Sequence, residues 1–158
     1  MRGYFGIGIE HTKTAPNMGT LYRSALAFGA SFIFTVERRY NRDKTDTVAA
    51  SRHIPLYHYE SLDDLLGHLP HDCKLVGIEL DERAVSLNAF SHPERCCYIL
   101  GAEDLGLSEE ARQACSVLVQ ISGRYCLNVA VAGSIVMYDR LTKAVPAACP
   151  QCLAPLAR

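Results

Sequence analysis

The sequence predicts an α/β fold, a mostly parallel sheet flanked by helices, and three observations carry that prediction. Strand-like and helix-like segments alternate along the chain. Residues 74–80 and 96–100 are continuous apolar runs rather than alternating ones, as strands covered on both faces require. The 158 residues suit one domain, and 49% hydrophobic with 21% charged residues is the balance of a globular protein rather than a disordered or fibrous one.

Residues 3–9 read as the opening strand, with Tyr4, Phe5, Ile7 and Ile9 as β-formers. Pro16 sits where the first turn of a helix tolerates it, Met18, Leu21, Ala25 and Phe28 keep helical spacing, and Gly29 is a natural stop. A short buried strand follows over 31–36, then a polar connection over 37–52 and a short strand over 55–59. Ser61 caps a helix running through Leu69, with Asp63 and Asp64 in its first turn. Beyond the strands at 74–80 and 96–100, Ser108 starts a helix with Glu109 and Glu110, 117–121 forms a strand, and Asn128 opens a long, very apolar helix to about Lys143. Residues 1–145 make the domain, and the Ala/Pro/Cys-rich tail 146–158 is expected to be poorly ordered.

Composition excludes several classes. No run of about 18 apolar residues occurs, so no membrane association is expected. The apolar N-terminal run is short and lacks a cleavage pattern, which argues against secretion. Seven cysteines, an odd number without secretory context, read as reduced and mostly buried thiols of a cytoplasmic protein. A net charge of −1 leaves nucleic acid binding to a local basic patch.

Three short segments carry the chemistry. In Asn17-Met-Gly19-Thr-Leu-Tyr-Arg23, Arg23 lies about 200° around the helix from Leu21, away from the apolar stripe. Gly19 clears space on Arg23's own face, which suits a phosphate or ribose near a helix N-terminus. In Leu100-Gly101-Ala-Glu103-Asp104-Leu-Gly106-Leu, a buried strand runs into a glycine loop and a helix, the general form of a nucleotide site. Glu103 and Asp104 there oppose phosphate by Coulomb sign but tolerate a ligand with a neutral nucleoside and cationic groups, which argues against NAD or ATP. In Cys126-Leu127-Asn128, Asn128 stands at an N-cap. The small residues Ala130, Ala132, Gly133 and Ser134 permit close backbone approach, and a helix apolar all round needs cover on more than one side. Taken singly, each segment has a structural explanation: a solvated arginine, an acid favouring a helix dipole, a cap.

Together, in this order and spacing, the three segments resemble the motifs of the SpoU-type (TrmH-like) RNA 2′-O-ribose methyltransferases of the SPOUT superfamily, over roughly residues 3–143. The resemblance implies a deep C-terminal trefoil knot, a homodimer and S-adenosylmethionine as cofactor. It implies methyl transfer to a ribose 2′-hydroxyl of structured RNA. It aligns Arg23 with the family's catalytic arginine and Asn17 with its asparagine, and places Glu103 and Asn128 with them. Glu79, Leu80, Leu100, Gly101, Glu103, Gly106, Ile121, Cys126 and Leu127 become the expected cofactor-binding residues. The absence of a separate RNA-binding segment resembles minimal tRNA-modifying members more than extended rRNA ones. A guanidinium keeps its proton at neutral pH and is a poor base, so positioning and electrostatic stabilisation are the favoured roles for Arg23.

Two positions depart from the family pattern: Cys126 replaces a serine and Ser122 a proline. They support an alternative, a non-catalytic RNA-binding or adenosine-ligand-sensing dimer with the same fold. A nucleotide-binding regulatory module is disfavoured by the acidic loop. Arg38, Arg39, Arg42, Lys44 and Arg52 beside Tyr40 form the best local RNA patch, and Arg124 is a further RNA-contact candidate, as is Arg23. Cys149-Pro-Gln-Cys152 has no second ligand pair following it, and the six histidines show no ligand spacing, so no metal is expected.

Overall fold

The computed structural model describes residues 3–40 and 53–144. Arg42, Lys44, Arg52, the Cys149/Cys152 pair and the tail therefore lie outside the described residues.

Seven strands form one sheet in the order β3-β2-β1-β6-β4-β7-β5, and every pairing is parallel. The strands are β1 (Tyr4–Glu10), β2 (Phe32–Val36), β3 (Leu56–Tyr59), β4 (Lys74–Ile78), β5 (Val85–Ser86), β6 (Arg95–Leu100) and β7 (Val117–Gln120). Helices α1 (Ala15–Phe28), α2 (Leu62–His68), α3 (Glu109–Ala114) and α4 (Val129–Ala144) join them. The chain builds outward from β1 through β2 to β3, then crosses to β4 and β5. It returns to insert β6 between β1 and β4, and β7 between β4 and β5.

The caps fall where the side chains require them. Gly29 ends α1 in the left-handed region at φ 78°, its N–H returning to the Ala25 and Leu26 carbonyls. The Ser61 hydroxyl accepts from Asp64 N at 3.1 Å and the Ser108 hydroxyl from Ala111 N at 3.1 Å. Alternate residues of β6 serve opposite faces. Cys96, Tyr98 and Leu100 pack with α1 and α4, whereas Cys97 and Ile99 pack with Leu65 of α2 and Ala111 of α3. Leu21, Ile7, Ile33 and Leu65 are fully buried, each stabilising the fold by about 1.5–3 kcal/mol relative to exposure.

The small residues of α4 do what their size suggests. A Cβ on Gly133 would stand 2.5 Å from Leu21 Cδ1 and 3.3 Å from Ile7 Cδ1, so the glycine admits α1 and the sheet together. The helix is not closed on every side: Val131 is 44% and Tyr138 57% exposed. It is also less apolar at its end than its opening suggests. Arg140 is buried, donating to the carbonyls of Pro93 (2.7 Å) and Glu94 (3.0 Å) and to Tyr98 Oη (3.2 Å), with its guanidinium 5.1 Å from the centre of the Phe5 ring.

Strand ends differ from the sequence reading. β4 stops at Ile78 and β7 at Gln120, leaving Leu80 and Ile121 in the loops that follow, and Gly3 at φ 100° precedes β1. Strand β5, two residues at the sheet edge, was not expected. Of the described cysteines, Cys96 and Cys97 are buried, Cys73 and Cys115 half-buried and Cys126 exposed, and all are free thiols.

Candidate functional site

Loops leaving the carboxyl ends of β4, β6 and β7 meet in a cleft of about 240 Å³, the location where parallel sheets bind ligands. Every expected cofactor residue lines it: Glu79 and Leu80, Leu100, Gly101, Glu103 and Gly106, then Ile121, Cys126 and Leu127. Tyr125, Val129 and Ala132 complete the wall, so the floor is largely apolar and the rim carries the carboxylates of Glu79, Glu103 and Asp104.

Two carboxylates fasten the loop after β6. Glu79 Oε2 accepts from Leu107 N at 2.6 Å and its Oε1 from Leu80 N at 3.0 Å. Glu10, buried at the end of β1, accepts from Ser108 N (2.8 Å) and Ser108 Oγ (2.7 Å). Between these anchors the chain doubles back, with Gly106 N donating to the Ala102 carbonyl at 2.9 Å. A Cβ at Gly101 would stand 1.9 Å from the Gly106 carbonyl carbon, and Gly106 itself adopts φ 67° against the Glu79 carboxylate. The glycines thus serve the tightness of the loop. Glu10 and Glu37 also approach His11 closely enough to share a cation, but both Glu10 oxygens already accept from Ser108.

The three segments are joined by a directed hydrogen-bond chain. Asn128 Oδ1 caps α4, accepting from Ala130 N (3.0 Å) and Val131 N (3.3 Å). Its amide nitrogen is thereby turned outward and donates to Asn17 Oδ1 at 3.0 Å. That in turn directs Asn17 Nδ2 to Glu103 Oε1 and to Thr14 Oγ1, the latter at 2.7 Å. Thr14 Oγ1 donates to Glu103 Oε1 at 2.8 Å. Partial burial alone would raise the Glu103 carboxyl, but its own backbone N–H, Thr14 and Asn17 together hold it below its ordinary value. Asp104 is likewise held low, chiefly by the ammonium of Lys13, with the more distant Arg38 adding to it. The carboxylates of Glu103 and Asp104 over an apolar floor suit a ligand with a neutral ring system and cationic groups, and disfavour phosphate.

Arg23 stands on the exposed face of α1 and is not among the residues lining the cleft of this chain. Gly19 keeps that face clear: its nearest neighbour, Tyr40 Oη, lies 3.9 Å from where a Cβ would be. Arg38, Arg39 and Arg124 are exposed, and Arg39 pairs with Glu60 at 2.8 Å. Ser122, where the family pattern has proline, lies 3.5 Å hydroxyl to hydroxyl from Ser86 of β5. Sequence reasoning missed Lys13, Thr14 and Glu10. Thr14 offered a signal, a hydroxyl at the cap position of α1, whereas the partners of Lys13 and Glu10 lie more than 90 residues away.

The chain is thus a parallel α/β fold with a cleft formed by the loops that follow β4, β6 and β7. The chain belongs to the SpoU rRNA Methylase family, which matches residues 5–138. It is 27% identical over 143 residues to the 23S rRNA (guanosine-2′-O-)-methyltransferase RlmB of Acinetobacter baylyi, covering 84% of this chain and 57% of that protein. It is 27% identical over 146 residues to an uncharacterized tRNA/rRNA methyltransferase of Archaeoglobus fulgidus, covering 86% and 63%. The chain therefore spans about three-fifths of the length of these relatives.

Among solved structures, the AdoMet-bound rRNA methyltransferase from Sinorhizobium meliloti superposes with a TM-score of 0.79 at 22% identity, over 92% of this chain and 59% of that one. A structure solved for insight into the 2-OH methylation of C/U34 on tRNA gives 0.78 at 20% identity, over 90% of this chain and 97% of that one.

Proposed function

We propose that this chain transfers a methyl group from S-adenosylmethionine to a ribose 2′-hydroxyl of structured RNA, with transfer RNA favoured over ribosomal RNA. The observation that carries the reading is the Asn128–Asn17–Glu103 chain, which ties the first and third segments to the loop that forms the cleft. The activity of the Acinetobacter relative and the family membership favour RNA ribose as acceptor. The preference for transfer RNA draws on the near-complete superposition with the C/U34 structure, a likeness of fold.

The residues present fit the cofactor. Leu100, Ile121 and Leu127 offer apolar surface for the adenosyl group, and the carboxylate rim offers charge for the sulfonium and ammonium. S-adenosylmethionine supplies an activated methyl group, so the protein's contribution is alignment. Gly101 and Gly106 keep the loop narrow enough to form one wall. Asn17, Glu103 and Asn128 hold a fixed edge against which the acceptor ribose is oriented.

Arg23 serves the acceptor side by holding phosphate and stabilising the developing 2′-alkoxide. It acts in the cleft of a second copy. The open apolar residues Val131 and Tyr138 of α4 are the surface for that homodimer. Arg38, Arg39 and Arg124 extend the RNA contact. A C-terminal trefoil knot belongs to the same reading: α4 returning from β7 to pack on α1 is a chain path that suits it. The enzyme works in the cytoplasm.

Calorimetry tests the cofactor assignment. S-adenosylmethionine or its demethylated product binds, and ATP and NAD do not; the reverse pattern ends the reading. Cofactor binding without label entering any RNA fraction would favour the sensing alternative.

A further inference from the structure

We infer that Thr14 is a positioning residue, whose hydroxyl holds the Glu103 carboxylate at the cleft. The inference rests on the proposed site and concerns a residue outside its three segments.

Thr14 occupies the N-cap of α1, with extended backbone at φ −116° and ψ 122°. A threonine there ordinarily accepts a hydrogen bond from the second or third backbone N–H of the helix. Thr14 makes no such bond. Pro16 removes one of the two donors, and the side chain of Asn17, rather than its backbone, reaches the hydroxyl at 2.7 Å. The hydroxyl proton is left to point across to Glu103 Oε1 at 2.8 Å, 89 residues away in sequence. A local capping rule is thus set aside in favour of a long-range contact with the acid of the cleft, as happens at functional sites.

The geometry leaves Glu103 Oε1 with two side-chain donors, Thr14 and Asn17, that also bond each other. Such a closed triangle restricts the carboxylate to one orientation. The charged groups around it are few. Asp104 is the neighbouring acid and opposes ionisation of Glu103, Lys13 pairs with Asp104, and the charge of Arg38, two residues past β2, favours ionised Asp104 from farther away. Lys13 and Thr14 therefore let one two-residue stretch serve both acids of the loop.

The test compares full-length wild type with Thr14→Val and Thr14→Ser. Three quantities are read: thermal midpoint, the Glu103 carboxyl 13C titration assigned with Glu103→Gln, and methyl transfer to bulk tRNA as a function of pH. Valine keeps the shape and removes both the donor to Glu103 and the acceptor for Asn17. The thermal midpoint should stay near wild type, because no cap bond is lost. The Glu103 titration should move to higher pH, and the acid limb of the transfer profile should move with it. Turnover should fall about tenfold, the loss of one hydrogen bond to a charged group. Serine should restore all three.

A Glu103 titration or a turnover in Thr14→Val indistinguishable from wild type would overturn the inference. So would a fall in thermal midpoint large enough to account for the lost turnover. Wild type that labels no RNA would sink the methyl-transfer reading instead, and the titration alone would then decide the role of Thr14.

Discussion

Asn128 Nδ2 donates to Asn17 Oδ1 at 3.0 Å, a contact between residues 111 apart in sequence that sets the polarity of the whole site. Because the other end of the Asn128 amide is committed to capping α4, neither asparagine can turn over without losing a partner. The polarity runs from the helix N-terminus to the Glu103 carboxylate.

This polarity makes Asn128→Asp an informative change. Aspartate keeps the cap oxygen and adds favourable charge at the α4 N-terminus, so unfolding stability should hold or rise slightly. It lacks the amide donor and would present oxygen to Asn17 Oδ1. Methyl transfer should fall by about 10–100-fold, the value of a hydrogen bond supporting a charged group. Chemical denaturation alongside turnover checks the split. Equal loss of both would refute it.

Gly101→Ala should damage the cofactor cleft at its root. The added Cβ meets the Gly106 and Leu107 backbone at about 2 Å, and backbone cannot swing aside as a side chain can. A cost of about 1–3 kcal/mol in stability is expected, with cofactor affinity falling in calorimetry. Wild-type affinity in this variant would show that the loop is not the wall described.

Away from the cleft, His92 is 5% exposed and links Tyr98 Oη (2.6 Å) to Asp139 (2.8 Å). Burial lowers its pKa, outweighing the opposing pull of Asp139, with Arg140 and Lys143 adding to the lowering. The unfolded chain then binds more protons in the window between the folded value and about 6.5. Stability is present in full above that window and declines as pH falls through it. Urea titrations from pH 7.5 downward should show the decline, and His92→Gln should flatten it. A wild-type slope of opposite sign would contradict the assignment.

Arg23→Ala should leave cofactor binding largely intact while transfer drops roughly 10²–10³-fold, the scale for losing one electrostatic stabiliser of the transition state. Turnover unchanged would remove Arg23 from the acceptor side. Mixing this variant with one inactive at Glu103 should recover activity if Arg23 serves the partner's cleft, because one of the two sites is then intact.

Much of the arrangement was legible in the residues because it depends on local rules. The continuous apolar runs marked the central strands, Asn128 and Ser108 marked caps, and Gly29 marked a stop. Gly101-Ala-Glu103-Asp104 announced an acidic loop after a buried strand. What stayed hidden depends on long-range pairing. Strand β5 is two residues long and carries no period. Glu10 looks like the first polar residue after a strand, yet it is buried by Ser108 from 98 residues away. Arg140 looks like the polar end of a helix until the carbonyls of Pro93 and Glu94 are seen beneath it. Lys13 and Thr14 carry no local mark of their acidic partners, because only the fold brings Asp104 and Glu103 against them.

The most direct measurement is nucleoside mass spectrometry of tRNA incubated with the purified chain and methyl-labelled S-adenosylmethionine. The account predicts label in a 2′-O-methylated nucleoside, absent with Arg23→Ala. Label on a base, or none at all despite measurable cofactor binding, would contradict it.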